Sequence, residues 1–279
     1  MASKSVKVAL SGDGGDELFM GYNRYQIANN LNFIENLPGF FKKFILQIIK
    51  LGSINQWNII SKVFSNRFVP SQLGDKLYKL AKILKDDDAD FYRLLISSFD
   101  YPDKFVVSGK ERKGLVWKNN FDNFLSCYVE KLKLLDTMTY LPDDILTKVD
   151  RASMAVSLEV RVPILDHRIV EFSWMLPKEM QLKKNQSKWI LRQVLKRYVP
   201  EKLFNRPKMG FGVPIDSWLR KDLKNWASHL LSDEVFKKHN LLKKDSIQLM
   251  WMEHQSKMKN WQYPIWNVLM LHSWAEEYL

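Results

Sequence analysis

The chain has 279 residues, of which 46% are hydrophobic and 13% aromatic, so it is a globular protein large enough to bury a substantial core. Its net charge of +12 raises the question of nucleic-acid binding. The basic residues are scattered among acids, however, and we do not expect nucleic acid as a partner. A single cysteine excludes an intrachain disulfide, and no apolar run reaches the roughly 18 residues that span a bilayer, so we expect a cytoplasmic protein without a membrane partner.

The first predicted element is a short strand over residues 6–10, followed by a glycine-rich turn, Ser11-Gly12-Asp13-Gly14-Gly15-Asp16-Glu17, and a helix. Strand, turn and helix form the half-unit that places ligands at the carboxyl edge of an open α/β sheet. The turn lacks the Gly-Lys-Ser/Thr of a P-loop. Its carboxylates suit either magnesium that carries nucleotide phosphates or a substrate ammonium group. For Asp16 and Glu17, a structural role at the helix start is equally compatible with the sequence.

Apolar residues at helical spacing dominate the rest of the chain. Cys127 falls inside one such pattern and is predicted to be a buried structural thiol. Asp166 and Asp216 are predicted to cap the helices that follow them. The acidic run over residues 85–88 is predicted to be a solvated loop or a cap. The predicted helices cover residues 31–49 with a break at Pro38-Gly39, 73–84, 125–135, 167–176, 187–198, 218–231 and 251–278.

Residues 156–162 alternate with period two, which fits a strand or a helix that runs into an extended segment before Pro163. The chain is therefore predicted to be mostly helical, with one convincing strand at its start. A parallel strand is buried on both faces and needs neighbours. Because no series of strand–helix units precedes this strand, we expect the chain to be the C-terminal piece of a longer protein.

Two later segments carry charges that invite a functional interpretation. Between residues 141 and 166, charged residues alternate with apolar ones so densely that they cannot all face water, and burial would require pairing. For Asp150, Arg151, Glu159 and Arg161, a salt-bridge lattice is at least as well supported as ligand contact. Lys188 is predicted in the first turn of a helix, where the dipole disfavours a cation, so it is a candidate for anion binding.

Taken in this order, the three segments resemble the synthetase domain of the glutamine-dependent asparagine synthetases. Residues 206–214 add a similarity to members of that family from bacterial surface-polysaccharide clusters. The motifs that carry the resemblance are residues 11–19 with Gly21-Tyr22, residues 141–154, residues 159–163 with Leu165-Asp166, and Lys188 with Leu191-Arg192.

The resemblance implies an α/β fold of the Rossmann-like adenine nucleotide alpha hydrolase (ATP pyrophosphatase) type, of which this stretch is the predominantly helical part with one or few strands. It also implies a ligase for asparagine biosynthesis. ATP with Mg²⁺ would adenylate the side-chain carboxylate of aspartate and release pyrophosphate. Ammonia from a separate glutaminase domain would then attack the acyl-adenylate, giving asparagine and AMP.

The resemblance further assigns roles to residues. Lys188 would stabilise the pentavalent phosphorus and the developing oxyanion. Asp13 would hold the aminoacyl-adenylate, at a position where relatives often have Glu. Tyr22 with Asp144 would match a pair that related enzymes place around the acyl-adenylate. The implied nucleotide- and substrate-binding residues are Ser11, Gly12, Asp13, Gly14, Gly15 and Asp16, the implied catalytic residues are Lys188, Tyr22 and Asp144, and no residue is assigned to a metal.

Two departures from the family pattern matter. The pyrophosphate loop Ser-Gly-Gly-x-Asp-Ser and the glutaminase domain with its N-terminal cysteine are both absent from the sequence. We therefore expect residues 1–279 to be the C-terminal part of a synthetase domain, with little or no ligase activity alone. Three alternatives stay open: amidation of a sugar uronate or another carboxylate, a non-catalytic scaffold, and an RNA binder. A homodimer also stays open.

Overall fold

The structure is a computed structural model. It describes residues 2–35, 38–52, 56–57, 59, 74, 77, 81, 92–93, 95–99, 101–112, 114–115, 125, 127–183, 186–205 and 212–279. The chain divides into two compact units. The first unit comprises Met1–Leu95 and Gly114–Arg206, and the second unit comprises Ile96–Lys113 and Pro207–Leu279.

The first unit begins with a 3₁₀ turn, Ala2–Lys4, and the predicted strand, β1, which covers Val8–Leu10. After the glycine turn come three helices, α1 (Gly15–Leu18), α2 (Asn23–Glu35) and α3 (Gly39–Lys50). The predicted break between the last two is confirmed. Pro38 has extended backbone there, and without an amide hydrogen it cannot continue the ladder of a helix.

The strand alternative for residues 156–162 is confirmed for Glu159–Arg161 alone, whereas Val156 and Ser157 lie in the turn before it. Strand β2 (Glu159–Arg161) pairs with β1 in parallel, in the register Val8↔Glu159, Ala9↔Val160 and Leu10↔Arg161. Val8 and Leu10 remain exposed at 37% and 73%, which is unusual for a parallel strand. A second pair, β3 (Leu182–Lys183) and β4 (Gln186–Ser187), is antiparallel. The described residues are thus mostly helical with few strands, as predicted.

Between β1 and β2 runs one continuous helical stretch whose middle is a π-helix. It consists of α4 (Tyr128–Leu135), the π-helix Asp136–Leu146, and α5 (Thr147–Met154). Pro142 lies inside the π-helix, and its missing amide hydrogen is compatible with the widened turn. The prediction for Cys127 was wrong: it is the half-buried, extended residue just before α4 and not part of the helix.

Two longer helices follow in the first unit, with the four-residue helix α7 (Lys178–Gln181) between them. Helix α6 (His167–Met175) has the predicted cap, because an oxygen of Asp166 accepts the Arg168 amide hydrogen at 3.0 Å. Helix α8 (Trp189–Leu195) is shorter than predicted, since the residues before it form β4.

The second unit consists mainly of helices: α9 (Ile215–Arg220), α10 (Lys224–Leu230), α11 (Asp233–His239), α12 (Lys244–Gln255) and α13 (Gln262–Tyr278). The prediction of one helix over residues 218–231 was wrong, and Asp216 lies inside α9, where it pairs with Arg220 one turn later. The helical tail is confirmed, although as two helices. The core of this unit includes Leu219, Ala227, Phe236, Ile247, Ile265 and Leu269.

The acidic run 85–88, most of the helix predicted over residues 73–84, and residues 206–211 of the last motif lie outside the described residues. In the parts of the chain that the structure does describe, none of the helices combines the length and the apolar character needed to cross a membrane.

Candidate functional site

The glycine turn is fixed at both ends by backbone contacts. The Ser11 amide hydrogen is donated to the Arg161 carbonyl at 2.9 Å, which extends the parallel pairing by one bond beyond β1. The Ser11 hydroxyl is donated to the Asp13 carboxylate, and the Asp13 amide hydrogen to the Ser11 oxygen at 3.3 Å. Gly14 has a φ of 80°, and a Cβ there would lie 2.3 Å from a methyl group of Leu165. This turn therefore requires glycine at position 14.

Lys188 is brought to the turn from a distant part of the sequence. Its ammonium nitrogen lies 3.0 Å from the Asp16 carboxylate, with both side chains a little under one-third exposed. The prediction that Lys188 lies in the first turn of a helix was slightly wrong. It is the residue just before α8 and has left-handed backbone, φ 53°, while its amide hydrogen is donated to the Phe19 carbonyl at 3.2 Å. A left-handed lysine is strained, and such strain is concentrated at functional sites.

Gly21 makes room for this ion pair. A Cβ at position 21 would lie 2.0 Å from an Asp16 carboxylate oxygen and 2.3 Å from Lys188 Cε. Both side chains therefore rest directly on the Gly21 backbone. The family-like Gly21-Tyr22 dipeptide thus has a physical reason in this chain: the glycine lets the ion pair approach the main chain.

Glu17 and Tyr22 form a second pair beside the first. The Tyr22 hydroxyl is donated to a Glu17 carboxylate oxygen at 2.5 Å. Glu17 is 1% exposed, and burial raises the pKa of its carboxyl above the ordinary value, with a further contribution from the charge of Asp16. Burial and the contact with Glu17 likewise raise the pKa of Tyr22. A buried carboxyl with a raised pKa is a candidate proton acceptor.

Behind Tyr22 lies a buried polar cluster centred on Asp136, the first residue of the π-helix. Its carboxylate is fully buried and accepts hydrogen bonds from Arg24 Nε at 2.8 Å, Tyr25 at 2.5 Å and Tyr92 at 2.7 Å. Burial raises the pKa of Asp136, while the Arg24 charge opposes that rise. The Arg24 guanidinium carbon lies 4.1 Å from the centre of the Tyr22 ring. The cluster therefore supports the ring of Tyr22 from behind.

Asp144 belongs to the π-helix and lies beside Tyr140. It lies on the exposed side of the π-helix, where it accepts a hydrogen bond from Tyr140. The rings of Tyr140 and Tyr22 meet edge to face with centres 5.7 Å apart. Tyr22 thus contacts Glu17 directly, and Asp144 is connected to it through Tyr140.

Four charged residues between positions 150 and 161 face water, although their close spacing in the sequence predicted that some would be buried. Asp150, Arg151, Glu159 and Arg161 are all exposed. Arg161 pairs with Glu159 at 2.7 Å, and the two side chains are 63% and 52% exposed. Short elements make this possible, because helix α5 has no buried residue and β2 is only three residues long.

Sequence reasoning missed the cluster around Asp136. Arg24, Tyr25, Tyr92 and Tyr140 each look ordinary in a helical pattern, and their convergence depends on tertiary structure. One signal was available: Asp136 directly follows the apolar Leu134-Leu135 at the end of a predicted helix. A carboxylate in such a position is buried only with partners.

An open cavity of about 920 Å³ lies beside the end of β1. Apolar side chains form much of its wall, including Leu10, Ile169 and Phe172, and Arg161 and Arg168 reach its edge. Arg168 also holds Asp166 in two hydrogen bonds of 2.9 Å, which keeps the pKa of that carboxyl well below its usual range. The cavity is lined by neither Lys188 nor Tyr22, so it is distinct from the cluster of predicted site residues.

The carboxylates of the turn each have a partner within the protein. Asp13, Asp16 and Glu17 are each engaged by Ser11, Lys188 and Tyr22 respectively. Among the residues that the structure describes, no group of three or more His, Cys, Asp or Glu side chains could hold a metal ion. The described residues therefore do not form a magnesium site by themselves.

Comparison with known proteins gives a consistent result. The family model for asparagine synthase matches residues 1–276. Asparagine synthetase (glutamine-hydrolysing) 1 of Bacillus subtilis is 30% identical over 275 residues, which is 98% of this chain and 41% of that protein. A Mycobacterium tuberculosis protein, provisionally named an asparagine synthetase of the same kind, is 28% identical over 98% of this chain and 40% of its own.

Shorter matches extend to other organisms. Human asparagine synthetase (glutamine-hydrolysing) is 36% identical over 95 residues, which is 32% of this chain and 17% of the human protein. No solved structure matches the chain significantly. The chain spans about two fifths of the length of the two relatives that match nearly all of it.

Proposed function

Because the chain belongs to the asparagine synthase family, we propose that it contributes the acyl-adenylate site of an ATP-dependent amide ligase. One observation carries the proposal: Lys188 and the glycine turn, far apart in the sequence, meet through a 3.0 Å ion pair with Asp16. These are the two segments to which the family resemblance assigns the reacting groups. A third motif, in the π-helix, lies next to them through Tyr140.

The reaction we propose has two steps. An oxygen of the aspartate side-chain carboxylate attacks the α-phosphorus of ATP, and the bond to pyrophosphate breaks. Lys188 stabilises the negative charge that builds up on the phosphoryl oxygens. The ion pair with Asp16 would hold the lysine in place before the ligand arrives, so that little reorganisation is needed.

In the second step, the nitrogen of ammonia attacks the acyl carbon, AMP leaves with the bonding electron pair, and the new amide loses a proton. Glu17 and Tyr22 support this step, because a buried carboxyl with a raised pKa can take a proton that is passed through the tyrosine hydroxyl. Tyr140 and Asp144 would line the same side of the site. Ser11, Gly12 and Asp13 would contact the nucleotide and the aminoacyl group.

We also propose that residues 1–279 correspond to the C-terminal part of a synthetase domain and that further strands complete the sheet. The exposure of Val8 and Leu10 on a parallel strand supports this, since such strands are normally covered on both faces. The phosphate-binding loop, Mg²⁺ coordination and ammonia supply would then come from outside these residues. Pyrophosphate–ATP exchange on this chain should accordingly be negligible, and exchange at the rate of an intact enzyme would refute the assignment.

The site itself can be tested without turnover. A non-hydrolysable sulfamoyl analogue of β-aspartyl-AMP should bind the chain in calorimetry, and Lys188→Ala should weaken binding about 100-fold. The matched control is Lys202→Ala, which removes an exposed lysine elsewhere in the first unit. Absence of binding by the wild-type chain, or equal losses for both variants, would contradict the proposal. If the chain binds the corresponding uronyl adenylate analogue more tightly than the aspartyl one, the acceptor substrate is a sugar acid and not aspartate.

A further inference from the structure

Helix α3 is anchored to the protein on one side. Ile49 is 2% exposed, and its carbonyl accepts a hydrogen bond from the Trp57 indole at 3.0 Å. The same indole lies against Gly52, where a Cβ would be only 2.9 Å from the indole nitrogen. The C-terminal end of α3 is therefore fixed with its Ile49 side turned inward.

The opposite side of α3 is also apolar, although it faces solvent. Phe40, Phe41, Phe44 and Ile48 are 65%, 45%, 58% and 39% exposed, and Leu51, just after the helix, is 84% exposed. Spacings of three and four residues place them in one stripe along the helix. A helix on a water-facing surface normally carries polar residues at such positions.

The charges of this helix all have one sign. Residues 39–51 contain Lys42, Lys43 and Lys50 and no acid, in a chain whose net charge is +12. Lys43 is exposed beside the stripe. An exposed phenylalanine-rich stripe, on a helix whose only charged residues are lysines, complements a surface in which an apolar layer lies beneath an anionic one.

We propose that the outer face of α3 docks onto an anionic lipid membrane. The helix would lie in the plane of the interface, with the phenylalanines at the boundary of the acyl chains and the lysines among the lipid phosphates. It has twelve residues, whereas crossing a bilayer takes about 20. The proposal is thus for surface binding and agrees with the finding that no described helix can span a membrane.

A bilayer fits this surface better than a protein partner does. Because residues 39–51 carry lysines and no acid, a second copy of this helix would bring like charges together. Anionic lipid headgroups instead attract lysines near the surface, and the acyl boundary accepts exposed aromatic rings. The proposal does not depend on the ligase site, because no residue of α3 belongs to that site.

The test is co-sedimentation of the chain with phosphatidylcholine vesicles, with and without phosphatidylglycerol, at low and high salt. We expect binding to the anionic vesicles that weakens with salt. Phe44→Glu should reduce the partition coefficient at least about 10-fold, and Lys43→Gln about five-fold. The matched control is Leu249→Glu, an exposed apolar position on α12 in the second unit, 54% exposed, which should leave binding unchanged.

Far-UV circular dichroism and light scattering accompany each variant, and Phe44→Ser replaces Phe44→Glu if the latter does not fold. The proposal is overturned if the wild-type chain does not co-sediment with anionic vesicles, or if Phe44→Glu and Leu249→Glu reduce binding equally. It is also overturned if the wild-type chain is a dimer that Phe44→Glu converts to a monomer, since the stripe would then bind a second copy.

Discussion

The two units of this chain fill their interiors with different chemistry. In the first unit, buried side chains include Glu17, Lys133, Asp136 and Gln181. In the second unit, buried residues are almost all apolar, and the exceptions among the described residues are His254 and His272. Burying ionisable groups costs stability unless each finds a partner, whereas an apolar core stabilises the fold directly.

The difference separates the roles of the two units. The polar interior of the first unit lies directly behind Tyr22 and holds its ring through Arg24 and Asp136. Replacing buried ion pairs by apolar residues of similar volume is often neutral or stabilising, so we attribute this polar interior to the positioning of Tyr22 and not to stability. The second unit contains none of the proposed site residues, and its interior follows the rules of ordinary core packing.

The largest effect should come from the centre of the polar interior. In Asp136→Asn, the partly buried Arg24 loses its counter-charge, and two tyrosine hydroxyls lose a charged acceptor. Urea denaturation should show a loss of about 4 kcal/mol in the free energy of unfolding. Asp143→Asn, an exposed change on the same π-helix, should cost less than about 0.5 kcal/mol. Similar losses for both would mean that Asp136 is not the centre of the cluster.

The buried Lys133 gives the first unit a pH dependence. Its nitrogen donates to the Ser173 carbonyl at 2.8 Å and to Gln181 at 3.0 Å, and burial lowers its pKa to about 7. An unfolded lysine holds its proton up to about pH 10.4. Between pH 7 and that value the unfolded state therefore binds more protons, so stability rises with pH.

The rise between pH 7 and pH 10 should be about 3 kcal/mol larger in the wild-type chain than in Lys133→Met. Urea unfolding at a series of pH values measures both slopes. Lys148→Met, which removes an exposed lysine from α5, serves as the control and should follow the wild-type curve. If Lys133→Met keeps the wild-type slope, the lysine is not titrating in the folded protein.

Gly21 lies directly against the ion pair of the proposed site. In Gly21→Ala the new methyl group would overlap the Asp16 carboxylate and Lys188 Cε, so the ion pair must move. We expect a loss of about 2 kcal/mol in unfolding free energy, typical of overpacking, together with loss of adenylate-analogue binding. Gly12→Ala, where a Cβ meets nothing within 4 Å, should leave stability within about 0.5 kcal/mol. Equal stability of the two variants would show that the pair adapts freely.

How much of this could be read from the sequence differs between the elements. Strand β1, the turn and the α2–α3 break follow from local chemistry: a β-branched run, glycines and Pro38. The capping of α6 by Asp166 is equally local. The π-helix is not, because its widened turns depend on a proline tolerated inside a longer helix and on the burial of Asp136 against Arg24, Tyr25 and Tyr92.

For the site, the sequence indicated the candidate residues but not which of them contact one another. Glu17 was equally compatible with a helix start and with function, and the sequence did not show that the chain turns after α1 and brings Tyr22, five residues later, to its carboxylate. The charged residues of α5 and β2 were expected to be partly buried, and they are exposed because these elements are short. Periodicity reports which face of an element is apolar, whereas pairing depends on which elements meet.

The smallest effect should come from the apolar interior of the second unit. Ile247 on α12 is fully buried in the core cluster, so Ile247→Val removes one methylene group from a packed site. The expected loss is about 1 kcal/mol, and it should be the same at pH 7 and pH 10, since no ionisable group is involved. Leu249→Val, an exposed change on the same helix, should lie within about 0.5 kcal/mol of wild type. If the loss of unfolding free energy in Ile247→Val depended on pH, the proposed difference between the two interiors would be wrong, because apolar packing alone exchanges no proton.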